Sequence, residues 1–181
     1  MADGDRPRIE PTTADDWDDE TRALVDGAGG LNIFTTLAHH PKLLKRWLVF
    51  GNHVLSKSTL PDRERELVIL RTGWRCGSEY EFGQHTIIGG RVGLSADEIT
   101  RLTAEPIDDQ WSAEDRLVLQ AVDELVDDKR IGDATWAALT PTWSTQQLMD
   151  IVFAVGQYVL VSMALNSFGV QLDDGVPGFP S

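Results

Sequence analysis

Cysteine is almost missing from this chain of 181 residues, where Cys76 stands alone. One thiol cannot close an internal disulfide, so the sequence fits a reducing compartment, and a cytoplasmic location is expected. Basic residues are also scarce, with 16 Lys and Arg against 29 Asp and Glu and a formal net charge of −13. Such a chain offers no basic face for nucleic-acid phosphates and no polybasic patch for anionic lipid, so neither is an expected partner. The start, Met1-Ala2-Asp3-Gly4-Asp5-Arg6-Pro7, lacks a basic segment followed by an apolar one, and no secretory leader is expected. Long apolar runs are missing as well. The richest stretch, Ile151–Leu165, is interrupted by Gly156, Gln157 and Ser162. It falls short of the ~20 apolar residues of a membrane span and reads as a buried core helix. No segment sustains a period-two alternation, which removes β-structure from the expectation.

What is present is an ordinary globular composition, 41% hydrophobic and 25% charged, long enough to bury a core without staples. The pattern reads as seven or eight helices in one all-α bundle. Residues 1–14 form a polar, flexible arm; 15–172 form the single domain; the Gly- and Pro-rich tail 173–181 is irregular. Helices are expected over Asp15–Asp26, Pro41–Leu55, Pro61–Trp74, Ser78–Gly89 (closed by Gly89-Gly90), Ser95–Leu102, Ser112–Asp128, Asp133–Leu139 and Ser144–Phe168. Asp133 is expected as a cap, and Pro61 in a first helical turn. Ser95 with Glu98 and Ser144 with Gln147 have the spacing of capping boxes, and Gly169 closes the last helix.

Chemistry concentrates between Glu66 and His85. Ser78, Glu81 and His85 stand at i, i+3 and i+7, so they share one helix face, and Tyr80 and Gln84 form a neighbouring i, i+4 pair. Glu66 lies on the preceding helix, 85 − 66 = 19 residues earlier, where a tight break at Gly73–Gly77 can bring it opposite His85. A histidine with two carboxylates, a phenol and a hydroxyl within reach, flanked by Trp74 and Phe82, fits a general acid/base site. The same spacing also fits a plain surface pair worth about 0.2–0.5 kcal/mol. Cys76 reads more readily as a half-buried small side chain than as a nucleophile, and His53 as structural or as a wall of the same pocket. No His- or Cys-rich spacing supports a metal site. Trp47, Trp111, Trp136 and Trp143 read as core or interface residues.

Three stretches together resemble the carboxymuconolactone decarboxylase family, the superfamily that includes the alkyl hydroperoxidase D-type proteins. They are Leu60-Pro61-Asp62-Arg63-Glu64-Arg65-Glu66-Leu67-Val68-Ile69-Leu70-Arg71, then Tyr80-Glu81-Phe82-Gly83-Gln84-His85, then Gly93-Leu94-Ser95-Ala96-Asp97-Glu98-Ile99. Asn32-Ile33-Phe34 and His39-His40-Pro41 are similar to the family's upstream pattern, and the resemblance covers residues 31–102 best. The hydroperoxidase branch uses a Glu, a Cys-x-x-Cys pair and a His. Aligned on His85, the Glu falls on Glu66, but the sulfur positions fall on Ser78 and Glu81, which cannot form a disulfide. The resemblance therefore implies the decarboxylase side of the family, an alkyl hydroperoxidase D-like homo-oligomer (dimer, trimer or hexamer) working without metal or organic cofactor.

On that basis His85 is expected as the principal acid/base, Glu66 as its relaying carboxylate, Glu81 as a second acid/base and Tyr80 as donor to a developing enolate. Trp74, Ser78, Phe82, Arg71 and His53 are candidate substrate contacts, Arg71 reading equally as a structural ion pair. The expected substrate is a small carboxylated lactone or enolisable carbonyl compound. Two alternatives stand beside this: a peroxidase-type antioxidant protein using Cys76 alone, and a non-catalytic oligomeric binding protein.

Overall fold

The computed structural model describes residues 6–180. Among these residues there are nine α-helices and no strand: α1 Asp19–Gly27, α2 Asn32–Leu37, α3 Pro41–Ser56, α4 Asp62–Arg75, α5 Glu79–Arg91, α6 Ala96–Arg101, α7 Ala113–Asp128, α8 Asp133–Leu139 and α9 Thr145–Phe168. The all-α expectation holds.

Helix α4 is the axis of the bundle. Its residues from Arg65 to Gly73 are all buried, and α5, α7 and α9 pack around it. A helix enclosed on every side cannot be amphipathic. Its polar residues, Arg65, Glu66, Arg71 and Thr72, are therefore buried as well and must be paired inside the protein. One apolar cluster joins α4, α7, α8 and α9 through Val68, Ile69, Val122, Leu139 and Ile151. A second joins α4 and α5 to the α6 region through Leu67, Leu70, Phe82, Leu94 and Leu102.

Both capping boxes form, at Ser95 and Ser144, and Gly169 ends α9. Local differences follow from competing side-chain bonds. The first expected helix is split into a 3₁₀ turn, Ala14–Asp16, and α1, because Asp16 and Asp18 accept backbone N–H groups instead of continuing one helix. Pro61 sits one position before α4 as its N-cap. Gly132, not Asp133, caps α8, since its N–H donates to Glu124 and Asp133 pairs with Arg130. Helix α5 runs through Gly89-Gly90 to Arg91. Gly89 is packed so closely on Leu94 and Leu70 that a side chain there would crowd both, and this packing outweighs the glycines' roughly 1 kcal/mol helix penalty.

Helix α9 has 24 residues and is long and apolar enough to cross a membrane by length and composition, but half of its most apolar window is buried inside this bundle. Of the expected arm, residues 6–14 are described and are tied down. Arg8 and Ile9 donate to the Phe168 carbonyl, and Thr12 bonds to Thr35. The tail is irregular but docked on α5. A Cβ at Gly83 would stand 2.2 Å from the Pro177 carbonyl oxygen, so only glycine admits that approach.

Candidate functional site

The α4–α5 turn sets the site. Cys76 caps α4, Gly77 takes φ 58°, and the Ser78 N–H returns to the Gly73 carbonyl. This reversal, made at a left-handed residue, brings α5 back along α4. His85 then meets Glu66 across the pair, with Nδ1 2.6 Å from Glu66 Oε2. One turn earlier on α5, Glu81 Oε1 lies 3.0 Å from His85 Nε2. Arg65 Nε donates to the second Glu66 oxygen at 3.4 Å, and Arg65 also pairs with Asp62.

All three central groups are nearly sealed: Glu66 is 0% exposed, His85 4% and Glu81 5%. A histidine can donate through both ring nitrogens only as the imidazolium. Burial alone would pull its pKa down, but the hydrogen bonds and charges of Glu66 and Glu81 outweigh it and hold the ring at about 9, above its ordinary 6.5. With His85 charged, Arg65, Glu66, Glu81 and His85 sum to zero, which is how the bundle tolerates four ionised groups at its centre.

His85 and Glu81 of this cluster line a cavity of about 140 Å³. Helix α2 contributes Ile33 and Phe34, α3 contributes Trp47 and Gly51, and α9 contributes Tyr158 and Val161. Tyr158 stands edge-on to the His85 ring, with centroids 5.0 Å apart at 85°. Burial, then the negative charges of Glu81 and Glu66, keep its hydroxyl protonated well above the ordinary range. No hydrogen bond to that hydroxyl forms among the described residues.

The structure thus brings Glu66, Glu81 and His85 together, with Tyr80 on the same cavity. Tyr80 is already committed: its hydroxyl donates to Asp173 Oδ2 at 2.5 Å and accepts the Ile33 N–H at 3.3 Å. Burial and then the Asp173 carboxylate raise its pKa. Gln84 donates to the same Asp173 oxygen. The proton expected to reach an enolate is therefore spent on the tail, and Tyr158 is the phenol that remains.

The five expected substrate contacts lie away from this cavity. Trp74 and Phe82 pack with Phe179 of the tail, at centroid distances of 5.0 and 5.3 Å, because Phe82 follows Glu81 by one residue and turns to the opposite flank of α5. Ser78 is fully buried at the start of α5 with its hydroxyl unpartnered. Arg71 forms two bonds to Asp123 and two more to the carbonyls of Leu102 and Ala104. His53 borders a separate surface depression with Phe50, Met149 and Phe153. The single cysteine is half-buried, and burial pushes its thiol pKa up against weaker pulls from Ser162, Lys129 and Arg75.

Residues 41–124 match the model of the Carboxymuconolactone decarboxylase family. No curated protein matches the chain. Among solved structures, an uncharacterized peroxidase-related protein from Silicibacter sp. TM1040 is similar at TM-score 0.82 and 16% identity, with 97% of each chain covered. The alkylhydroperoxidase AhpD core protein from Ralstonia eutropha JMP134, also called peroxidase-related, gives 0.81 and 18%, with 93% of each covered. A variant of the debrominase Bmp8 in complex with 2,3,4-tribromopyrrole gives 0.76 and 11%, with 95% of each covered. At these identities the likeness is one of fold, an AhpD-like helical fold.

Proposed function

We propose that this chain, a member of the carboxymuconolactone decarboxylase family through residues 41–124 and without the Cys-x-x-Cys pair, is a cofactor-independent acid–base enzyme. Its substrate is a small enolisable carbonyl compound. The observation that carries this reading is the buried Glu66–His85–Glu81 row ending on a cavity large enough for one small ring.

The roles differ from the simplest expectation. Both His85 nitrogens already face carboxylates, so Glu81 is the group that meets substrate. Its carboxylate takes the proton from the carbon beside the carbonyl. The C–H electron pair becomes the C=C bond of an enolate, and the charge moves to oxygen, where the Tyr158 hydroxyl donates. Glu81 then returns the proton to the same or a conjugated carbon. His85 holds Glu81 in place and compensates its charge, and Glu66 orients the ring. A carboxylated substrate fits less well, since no Lys or Arg lines the cavity among the described residues. A Cys76 peroxidase is disfavoured by a thiol that burial makes harder to ionise.

The test is deuterium wash-in at the α-carbon of small cyclic ketones in D₂O, followed by NMR. Exchange above the buffer rate is expected from the purified protein; its absence across the panel would sink the reading and favour a non-catalytic binding protein.

The reading includes self-association. Met149, Phe153, Leu160 and Met163 are each more than half exposed along one side of α9, and Phe153 stands edge-on to Phe50 of α3; a contiguous exposed apolar stripe of this kind suits an interface. Phe153→Asp with Met163→Asp is expected to shift the sedimentation mass toward the monomer. The reducing, cytoplasmic setting remains part of the same proposal.

A further inference from the structure

The cavity contains a polar group that the acid–base row does not use. Gln157 projects from the middle of α9 into the cavity wall and is 4% exposed. Its Oε1 is buried without a hydrogen-bond partner. Its Nε2 end lies against Gly51, 3.5 Å from where a Cβ of that residue would stand. A buried amide with no partner costs on the order of 1–3 kcal/mol, and α9 is otherwise apolar at this level, with Ala154, Val155 and Val161 beside it. Trp47, on the other side of Gly51, has its indole N–H buried and unpartnered as well. Two orphaned polar groups thus flank one point of a wall that is mostly hydrocarbon.

Charge narrows what could meet them. The acid–base row sums to zero with His85 protonated. Asp173, behind Tyr80 and Gln84, is filled by three donors. An anion in the cavity would face the Glu81 carboxylate, and the one cation on that wall, the His85 ring, is already held between Glu66 and Glu81. A cation would have to share the single Glu81 carboxylate with the His85 ring, which already occupies one of its oxygens. A neutral hydrogen-bonding group has both an amide and an indole N–H waiting. A half-turn of the amide presents either its carbonyl or its NH₂ to the ligand.

We propose that Gln157, assisted by Trp47, is the specificity subsite of this cavity, and that it selects an uncharged single-ring carbonyl compound over a carboxylate or ammonium of the same size. The size limit follows from the volume, about 140 Å³, close to the ~150 Å³ that holds a benzene ring in an engineered apolar cavity of another protein. This inference rests on reading the cavity as the substrate site, and it adds the chemical class that the site admits.

The experiment compares four rings of nearly equal shape, titrated by calorimetry: cyclohexanone, methylenecyclohexane, cyclohexanecarboxylate and cyclohexylammonium. Cyclohexanone is expected to bind about tenfold more tightly than each of the others, the equivalent of one net hydrogen bond. Gln157→Leu is expected to abolish its advantage over methylenecyclohexane while leaving the hydrocarbon's affinity unchanged, and to raise Tm in the empty protein because an unsatisfied amide is gone. The wild-type ranking needs no variant to fold. Carboxylate or ammonium binding equal to or tighter than the ketone would overturn the proposal, as would an undiminished ketone preference in Gln157→Leu or failure of all four rings to bind. Wash-in separates the two ideas. A ketone preference without exchange would refute the acid–base chemistry and leave the subsite standing, whereas exchange with no dependence on Gln157 would do the reverse.

Discussion

Helix α4 carries two buried ionic clusters a little over one turn apart, and they are opposite in kind. Arg71 is 1% exposed and bonds to both Asp123 oxygens and to the carbonyls of Leu102 and Ala104. It abuts no cavity. Glu66 is equally buried, yet its row through His85 to Glu81 ends on open volume beside an uncommitted phenol and an unpaired amide. Burial and ion pairing are common to both. Only one leaves lone pairs and protons that a ligand can use, which is why it is the site we propose, while the other ties α4 to α7 and the loop after α6.

The contrast can be broken most sharply at Glu81. Glu81→Gln keeps the shape and a hydrogen bond to His85 but removes the base. Wash-in is expected to fall by about 10²- to 10⁴-fold, the range for loss of a positioned general base, with the helical spectrum unchanged. Arg71→Met addresses the other cluster. It leaves Asp123 only its longer 3.8 Å contact with Arg75 and strands two carbonyls, and a loss of about 3 kcal/mol is expected in urea unfolding, the low end for a buried pair deprived of one partner.

A smaller effect lies in pH. The folded-state pKa of His85 is raised to about 9 from 6.5. Its stabilising contribution is therefore present in full below pH 6.5 and is lost as pH rises through about 9. Glu98 acts at the other end: burial raises its pKa, but bonds from Ser95 and Arg63 outweigh that and hold it at about 2, so its contribution is lost only in acid. Glu66→Gln is expected to flatten the alkaline decline, read from Tm between pH 6 and 10, and to leave the acid limb unchanged. An unchanged alkaline limb would show that the ring is not held by Glu66. The smallest expected effect is at Cys76, a half-buried residue away from the chemistry, where Cys76→Ser should leave wash-in within about twofold of the native rate. A larger loss would revive the thiol.

Much of this was legible before folding. The serine capping boxes are local and form as the spacing demands. Glu81 and His85 share a face by helix geometry alone, and the Gly-containing break that returns α5 to α4 is written between Gly73 and Gly77. The other half of the cavity had no local signal. Tyr158 and Gln157 sit in an apolar helix whose rotation about its axis is fixed by tertiary packing, so nothing in their neighbours says which of them faces the histidine. Asp173 lies in a tail whose composition reads as irregular, yet it binds the Tyr80 hydroxyl and removes that phenol from the chemistry. Phe82 lies elsewhere for a simpler reason, since it is about 100° around the helix from Glu81, on the side away from Tyr80.

The most direct test sets the two clusters side by side: deuterium wash-in per folded molecule for Glu81→Gln and Arg71→Met, with folded fractions taken from the same unfolding curves. The account predicts a stable, inactive Glu81→Gln and a destabilised Arg71→Met whose folded molecules exchange at the native rate. Native exchange by Glu81→Gln, or loss of exchange in folded Arg71→Met, would contradict it.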